Sequence, residues 1–252
     1  MLSFSSVQLD GWIAAYAWPF LRILALFTAA PLLSQRSIPL RVKVGLAAYI
    51  AFIIVPALPE PQHASTGWLL AQQLAIGLGI GFALQLVFAA FSVAGDLLGL
   101  QMGLSFASFI DPQNSQEEPI VGSFLSILGM LVFLAMNGHL LMVAGIAESF
   151  RAMPVGAAGP GLAEWQSLAA MGGTLFSVGL HMSLPVLATM LILNLALGVL
   201  ARAAPQLNIF AVGFPASIIV GLLALALAMP LMGPFLESAL EQGLASAFSF
   251  GR

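Results

Sequence analysis

Two stretches of the chain, Leu168–Leu200 and Ile209–Leu236, contain no Asp, Glu, Lys or Arg. Each is longer than the roughly 20 apolar residues that span a bilayer as an α-helix. Lipid leaves a backbone only two solutions, helices or closed barrels, because every N–H and C=O must be satisfied within the protein. Barrel strands read as ~10-residue segments of alternating polarity, and these runs are longer and do not alternate. Composition extends the helical solution to the rest of the chain. Of its 252 residues, 60% are hydrophobic and 7% charged, against about 25% charged in soluble domains, and the mean hydropathy is +1.04. The fold class expected is all-α, a polytopic membrane protein of about six long, kinked helices.

Apolar runs and turn chemistry place the helices near Trp12–Leu33, Val44–Leu58, Trp68 to beyond Phe91, Ile120–Ala147, Leu168–Leu200 and Ile209–Leu236. A Gly/Pro/Ala-rich connection is expected from Glu148 to Gln166. Arg36, Arg41 and Lys43 crowd the first connection, while the next, "EPQHASTG", has no Lys or Arg. The bias of basic residues towards the cytoplasm therefore puts the first connection inside and the N-terminus outside and, if the central stretch Leu104–Pro119 does not itself span, Arg202 inside and Arg151 outside. The N-terminus has no Lys or Arg before Arg22, so the first apolar segment is expected to be retained rather than cleaved as a signal peptide. Pro19, Pro185, Pro215 and Pro230 fall inside the expected helices. Each removes a backbone donor and bends its helix, which favours helices packed among others.

Several chemistries are excluded or weakly supported. The chain has no cysteine, which removes disulfides, thiol catalysis and Cys-ligated metals. His63, His139 and His181 lie far apart and away from carboxylates at metal-ligand spacing. No nucleophile–base arrangement is visible, so an enzyme and a cofactor are not expected. "GLGIGF" at Gly77–Phe82 lacks the dinucleotide spacing and lies within an apolar run, so Gly77 and Gly81 read as helix-packing positions. A net charge of −3 offers no basic surface for nucleic acid.

In "GDLLGLQMG", Gly95, Gly99 and Gly103 recur at four-residue steps, a ridge on which another backbone can lie, within this chain or a neighbour. Arg22 and Asp96 are intramembrane charges, which usually face a bundle interior or a water-filled path; pairing with one another is one solution. Beyond them lies "LSFASFIDPQNSQEEP", Leu104–Pro119. Phe106, Phe109 and Ile110 make a short apolar face. Asp111 precedes Pro112 and is biased out of the helical region, and "QNSQEE" offers lipid nothing apolar. Irregular backbone at membrane depth survives only within protein or beside water, so the residues fit either a solvated loop or a segment inside a pore. Met102 adjoins it, with a flexible side chain suited to sealing a narrow passage.

"LQMGLSFASFIDPQNSQEEP", "MNGH" at Met136–His139, "APQLNIFAVGFP" at Ala204–Pro215 and "PLLSQRSIPLRVKVGLA" near the N-terminus resemble the flagellar biosynthetic protein FliR family. The likeness runs over essentially the whole chain and looks more like the flagellar branch than the injectisome one. It implies an export-gate subunit of the flagellar type III secretion apparatus in the bacterial inner membrane, at the basal body, within a helical complex. The implied partners are FliP-like, FliQ-like and FlhB-like membrane subunits and an unfolded polypeptide in transit. The implied organisation is a FliP-like part over 1–163 and a FliQ-like helical hairpin over 164–252, with Pro205, Gln206, Asn208, Phe210, Gly213 and Pro215 at or near its turn. It also implies that Phe106, Phe109, Ile110, Asp111 and Pro112 plug the closed channel; with Met102 beside them, Phe106, Phe109 and Ile110 are expected to close an apolar constriction against water and ions. A small-solute or ion transporter is the alternative from another class. It would show internal repeats and a midplane polar site, and neither is evident.

Overall fold

The structure, a computed structural model, describes residues 6–35, 37–58, 66–104, 119–157 and 159–249. Every regular element among them is helical: α1 (Ser6–Ala29), α2 (Leu40–Ile54) with a 3-10 turn (Val55–Ala57), α3 (Thr66–Gln101), α4 (Ile120–Ala135), α5 (Gly138–Ala152), α6 (Leu162–Ala203) and α7 (Ile209–Ser249). Among the described residues four spans are long and apolar enough to cross a membrane, Leu40–Ala57, Gly67–Gln101, Leu162–Ala203 and Ala211–Ser249, with α4 and α5 as a bent fifth. The all-α polytopic class is therefore the observed one.

Several boundaries differ from the sequence expectation. α1 stops at Ala29 because Pro31, two residues on, cannot donate to a continuing ladder. The helix expected over Ile120–Ala147 is two helices bent by 69°. Asn137, at φ 57°, breaks the run, and asparagine tolerates the left-handed conformation better than most residues. Its carbonyl then accepts from Leu140 and Leu141 at 2.8 and 3.1 Å to start α5. The connection expected from Glu148 is helical to Ala152, and α6 begins at Leu162. α7 passes Leu236 and runs to Ser249. Its last turns are rich in Glu, Ala and Leu, good helix formers that an apolarity pattern does not register.

α3, α6 and α7 have 36, 42 and 41 residues, roughly 54–63 Å at 1.5 Å per residue. That is about twice a ~30 Å hydrocarbon core. Pro185 lies inside α6, and Pro215, Pro230 and Pro234 inside α7.

The chain divides into two compact units. Met1–Leu86, Asn137–Gly172 and Glu241–Arg252 form the first, and Val87–Met136 with Gly173–Leu240 the second. α3, α6 and α7 contribute to both, so compactness does not follow one cut near residue 163. Buried side chains of the first unit include Ile23, Leu26, Phe27, Ile76, Ile80, and Phe150; those of the second include Phe91, Leu98, Met102, Leu125, Val186, and Met190.

Candidate functional site

The candidate gate begins where α3 ends in the second unit. Gly103 has φ 79°, a conformation that only glycine adopts without cost. Its N–H reaches the Leu100 carbonyl at 3.1 Å, and the Leu104 N–H reaches the Gly99 carbonyl at 2.9 Å. That pair of bonds is a Schellman cap. Gly103 thus has a backbone task, and Gly99 supplies one of the cap's acceptors. Met102, just before the cap, is 0% exposed. It lies against Gly221 of α7, where an added Cβ would stand 2.6 Å from the Met102 Cγ. Phe106, Phe109, Ile110, Asp111 and Pro112 lie outside the described residues. α4 starts after Pro119, whose carbonyl accepts from the Ser123 N–H at 2.9 Å.

Behind this end of α3, contact with α4 depends on missing side chains. A Cβ on Gly95 would collide with the Gly122 backbone, and one on Gly129 with the Phe91 ring. Asp96, half-buried, has a carboxylate oxygen 3.1 Å from where a Gly122 Cβ would be. Ser92 and Ser126 share a hydroxyl hydrogen bond of 3.0 Å. Phe88 meets Phe91 and Phe133 edge to face at 5.7 and 5.5 Å, the arrangement that ring quadrupoles favour.

The α6–α7 turn runs through Pro205 and Gln206, with the Leu207 N–H bonded to the Ala204 carbonyl at 3.0 Å. Asn208 caps α7, its Oδ1 accepting from the Ala211 N–H at 3.3 Å, the standard work of an N-cap amide. Phe210 is in the first turn of α7, Gly213 is buried and Pro215 exposed.

Arg22 is in the first unit and is 0% exposed. Its Nε donates to Gln73 Oε1 at 2.7 Å, Nη1 to the Ser149 carbonyl at 3.0 Å and hydroxyl at 3.3 Å, and Nη2 to the Met153 carbonyl at 2.9 Å. The guanidinium also stacks over the Phe150 ring, 4.0 Å from its centroid. Four bonds to neutral oxygens and an aromatic face thus take up the charge, with two of the acceptors being carbonyls at the C-terminal end of α5, where the helix dipole favours a cation. Asp96 belongs to the other unit. Gly77 and Gly81 let α3 approach α1: a Cβ on the first would collide with the Arg22 carbonyl oxygen, and one on the second would stand 2.6 Å from the Ala29 Cβ. Gln72 donates to the Ala157 carbonyl at 2.7 Å.

Gln72, Gln73 and Ser149 are buried polar residues of the first unit that the sequence does not single out. The signal available was polarity, since "AQQL" places two adjacent amides in an apolar helix. Arg41 and Lys43 stand in the first turn of α2 rather than in a loop, Arg202 is exposed near the end of α6, and Arg36 lies outside the described residues. His181 Nδ1 lies 2.6 Å from the Ser177 carbonyl. Among the described residues no group of three His, Asp or Glu side chains is placed to hold a metal.

A family model described as "Bacterial export proteins, family 1" matches residues 13–243. The flagellar biosynthetic protein FliR of Pectobacterium carotovorum subsp. carotovorum is 45% identical over 242 residues, covering 94% of this chain and 92% of the relative. The protein of the same name from Escherichia coli (strain K12) is 44% identical over 241 residues, again 94% and 92%. The one from Bacillus subtilis (strain 168) is 33% identical over 222 residues, covering 85% and 86%.

Proposed function

Because the chain belongs to the FliR family of bacterial export proteins, we propose that this flagellar export-apparatus subunit helps to form and close a channel for unfolded flagellar polypeptides. Residues 104–119 are its plug. The observation that carries this reading is the end of α3. There a glycine-centred cap turns the chain directly after a fully buried Met102, so the plug segment leaves from a fixed post.

Met102, Phe106, Phe109 and Ile110 form a hydrophobic constriction that excludes water and ions when the channel is shut, as dewetted gates do. Asp111 and Pro112 end the apolar stretch. An entering polypeptide displaces the constriction, and the energy for transport comes from other parts of the machine. The subunit acts mechanically rather than as an enzyme.

Helices about twice the bilayer's apolar thickness suit a protein whose outer faces are covered by other helices. Exposed apolar side chains along α6 and α7, among them Ile192, Val199 and Leu227 at 69, 70 and 78% exposure, are suited to that role. The neighbours are FliP-like and FliQ-like membrane subunits with a FlhB-like subunit, in the inner membrane at the flagellar base. Residues 1–163 serve as the FliP-like part and 164–252 as the FliQ-like hairpin, which turns at 204–208.

The test is ion conductance of the assembled complex with Phe106, Phe109 and Ile110 all replaced by Ser. Conductance through the closed channel is expected to rise while the complex still assembles. Unchanged conductance in an intact complex rules out the plug.

A further inference from the structure

A groove of about 450 Å³ runs between α5 and the C-terminal end of α7 in the first unit. We propose that it seats a helix of another membrane subunit whose apolar face carries a Lys or Arg opposite Glu148 and Glu241. This rests on the reading of the chain as one subunit of a larger assembly.

A Cβ on Gly145 would strike the Phe248 ring, so the two walls meet there. The α5 wall runs from Leu141 to Ala152 and the α7 wall from Glu241 to Phe248. Glu148 and Glu241 thus line the same groove from opposite walls, together with apolar and small side chains.

Three of its open positions are small. Ala144, Ala152 and Ala245 are exposed within it, and small side chains let a third backbone come close. The base is also held from behind: Ser149 lines the groove while its carbonyl and hydroxyl both accept from Arg22. The groove is therefore a preformed seat for a helix, the geometry of helix-in-groove recognition.

Charge selects the occupant. Glu148 has Arg151 at 3.1 Å, and Glu241 adds a second negative charge to the same walls. A carboxylate covered by an apolar partner is costly unless a cation comes with it. An anionic phospholipid brings a net negative headgroup that these carboxylates repel, so the complement is a basic residue on an apolar helix.

The experiment places a photocrosslinking amino acid at Ala245 of the full chain in flagellated cells, with Leu195 on α6, 64% exposed, as the reference position. The expected result is a polypeptide adduct at Ala245 that mass mapping locates within a turn of a Lys or Arg on an apolar helix. Glu241→Lys is expected to lower its yield on the order of tenfold, since two cations then face each other. Glu241→Gln lowers it less, and changing the mapped basic residue to Glu restores it in the Glu241→Lys background. Lipid-only adducts at Ala245, a mapped segment without a basic residue, or a yield indifferent to Glu241→Lys each overturn the proposal. Polypeptide adducts at Leu195 with none at Ala245 overturn it alone, whereas none at either position overturns the assembly reading with it.

Discussion

In the first unit the junction of α1, α3 and α5 passes through Arg22, a long charged side chain whose donors reach Gln73, Ser149 and Met153. In the second unit the junction of α3 and α4 passes through Gly95 and Gly122, where the backbones approach because no side chain intervenes. The first contact is directional and fails when atoms are removed, because it leaves buried acceptors without donors. The second is steric and fails when atoms are added. Both build a tight helix contact without the hydrophobic effect as its driving force, which suits a chain whose surroundings can be as apolar as its core.

The largest effect is expected from Arg22→Met. It orphans buried acceptors and uncaps the end of α5, at a cost of about 3–5 kcal/mol. Amide exchange in the solubilised protein should accelerate in α5 and the first half of α3, with α4 unaffected. Arg22→Lys should recover only part of the loss, because an ammonium cannot reproduce the planar fork that reaches three partners. Uniform acceleration across both units would show that the contacts are not separable in this way.

Adding one carbon to the second unit comes next. Gly95→Ala places a methyl against the backbone of Gly122, which cannot rotate away, so a loss of about 1–3 kcal/mol is expected. Exchange should now quicken in α4 and the second half of α3. The contrast between units is sharpened by Gly77, where the first unit also uses a close approach, to the carbonyl oxygen of Arg22. Gly77→Ala combined with Arg22→Met should cost less than the sum of the two, since both loosen the same α1–α3 contact.

How far these features could be read in the sequence depends on their range. The apolar runs announce the helices, and Gly77, Gly81 and Gly95 announce close packing, because both signals are local. Arg22 announces that its charge must be neutralised but not where, since its acceptors lie 51, 127 and 131 residues away. Two of those acceptors are backbone carbonyls, which carry no sequence signal at all. The same holds for Gly103, which reads as the third step of a glycine ridge until its φ of 79° shows it to be a cap. The Asn137–Gly138 pair was a legible turn signal hidden in an apolar run, and the run's length favoured one helix over two.

Gly103 gives a smaller effect at the threshold of the plug. Gly103→Ala forces a side chain into the left-handed region and should cost about 1–2 kcal/mol. If the cap is what fixes Met102, the variant should also raise ion conductance through the closed complex. Stability loss without added conductance would separate the cap from the gate.

The smallest effect tests whether polar contacts in the second unit hold it together as they do in the first. Ser92 and Ser126 are half-buried and share a 3.0 Å hydrogen bond, but both are neutral, and each can find an alternative acceptor in its own helix backbone. Hydrogen bonds of this kind between membrane helices average about 0.6 kcal/mol, so Ser92→Ala should leave exchange in α4 almost unchanged. A loss comparable with that of Gly95→Ala would mean that the second unit, too, is held by directed polar contacts, and that glycine only makes room for them.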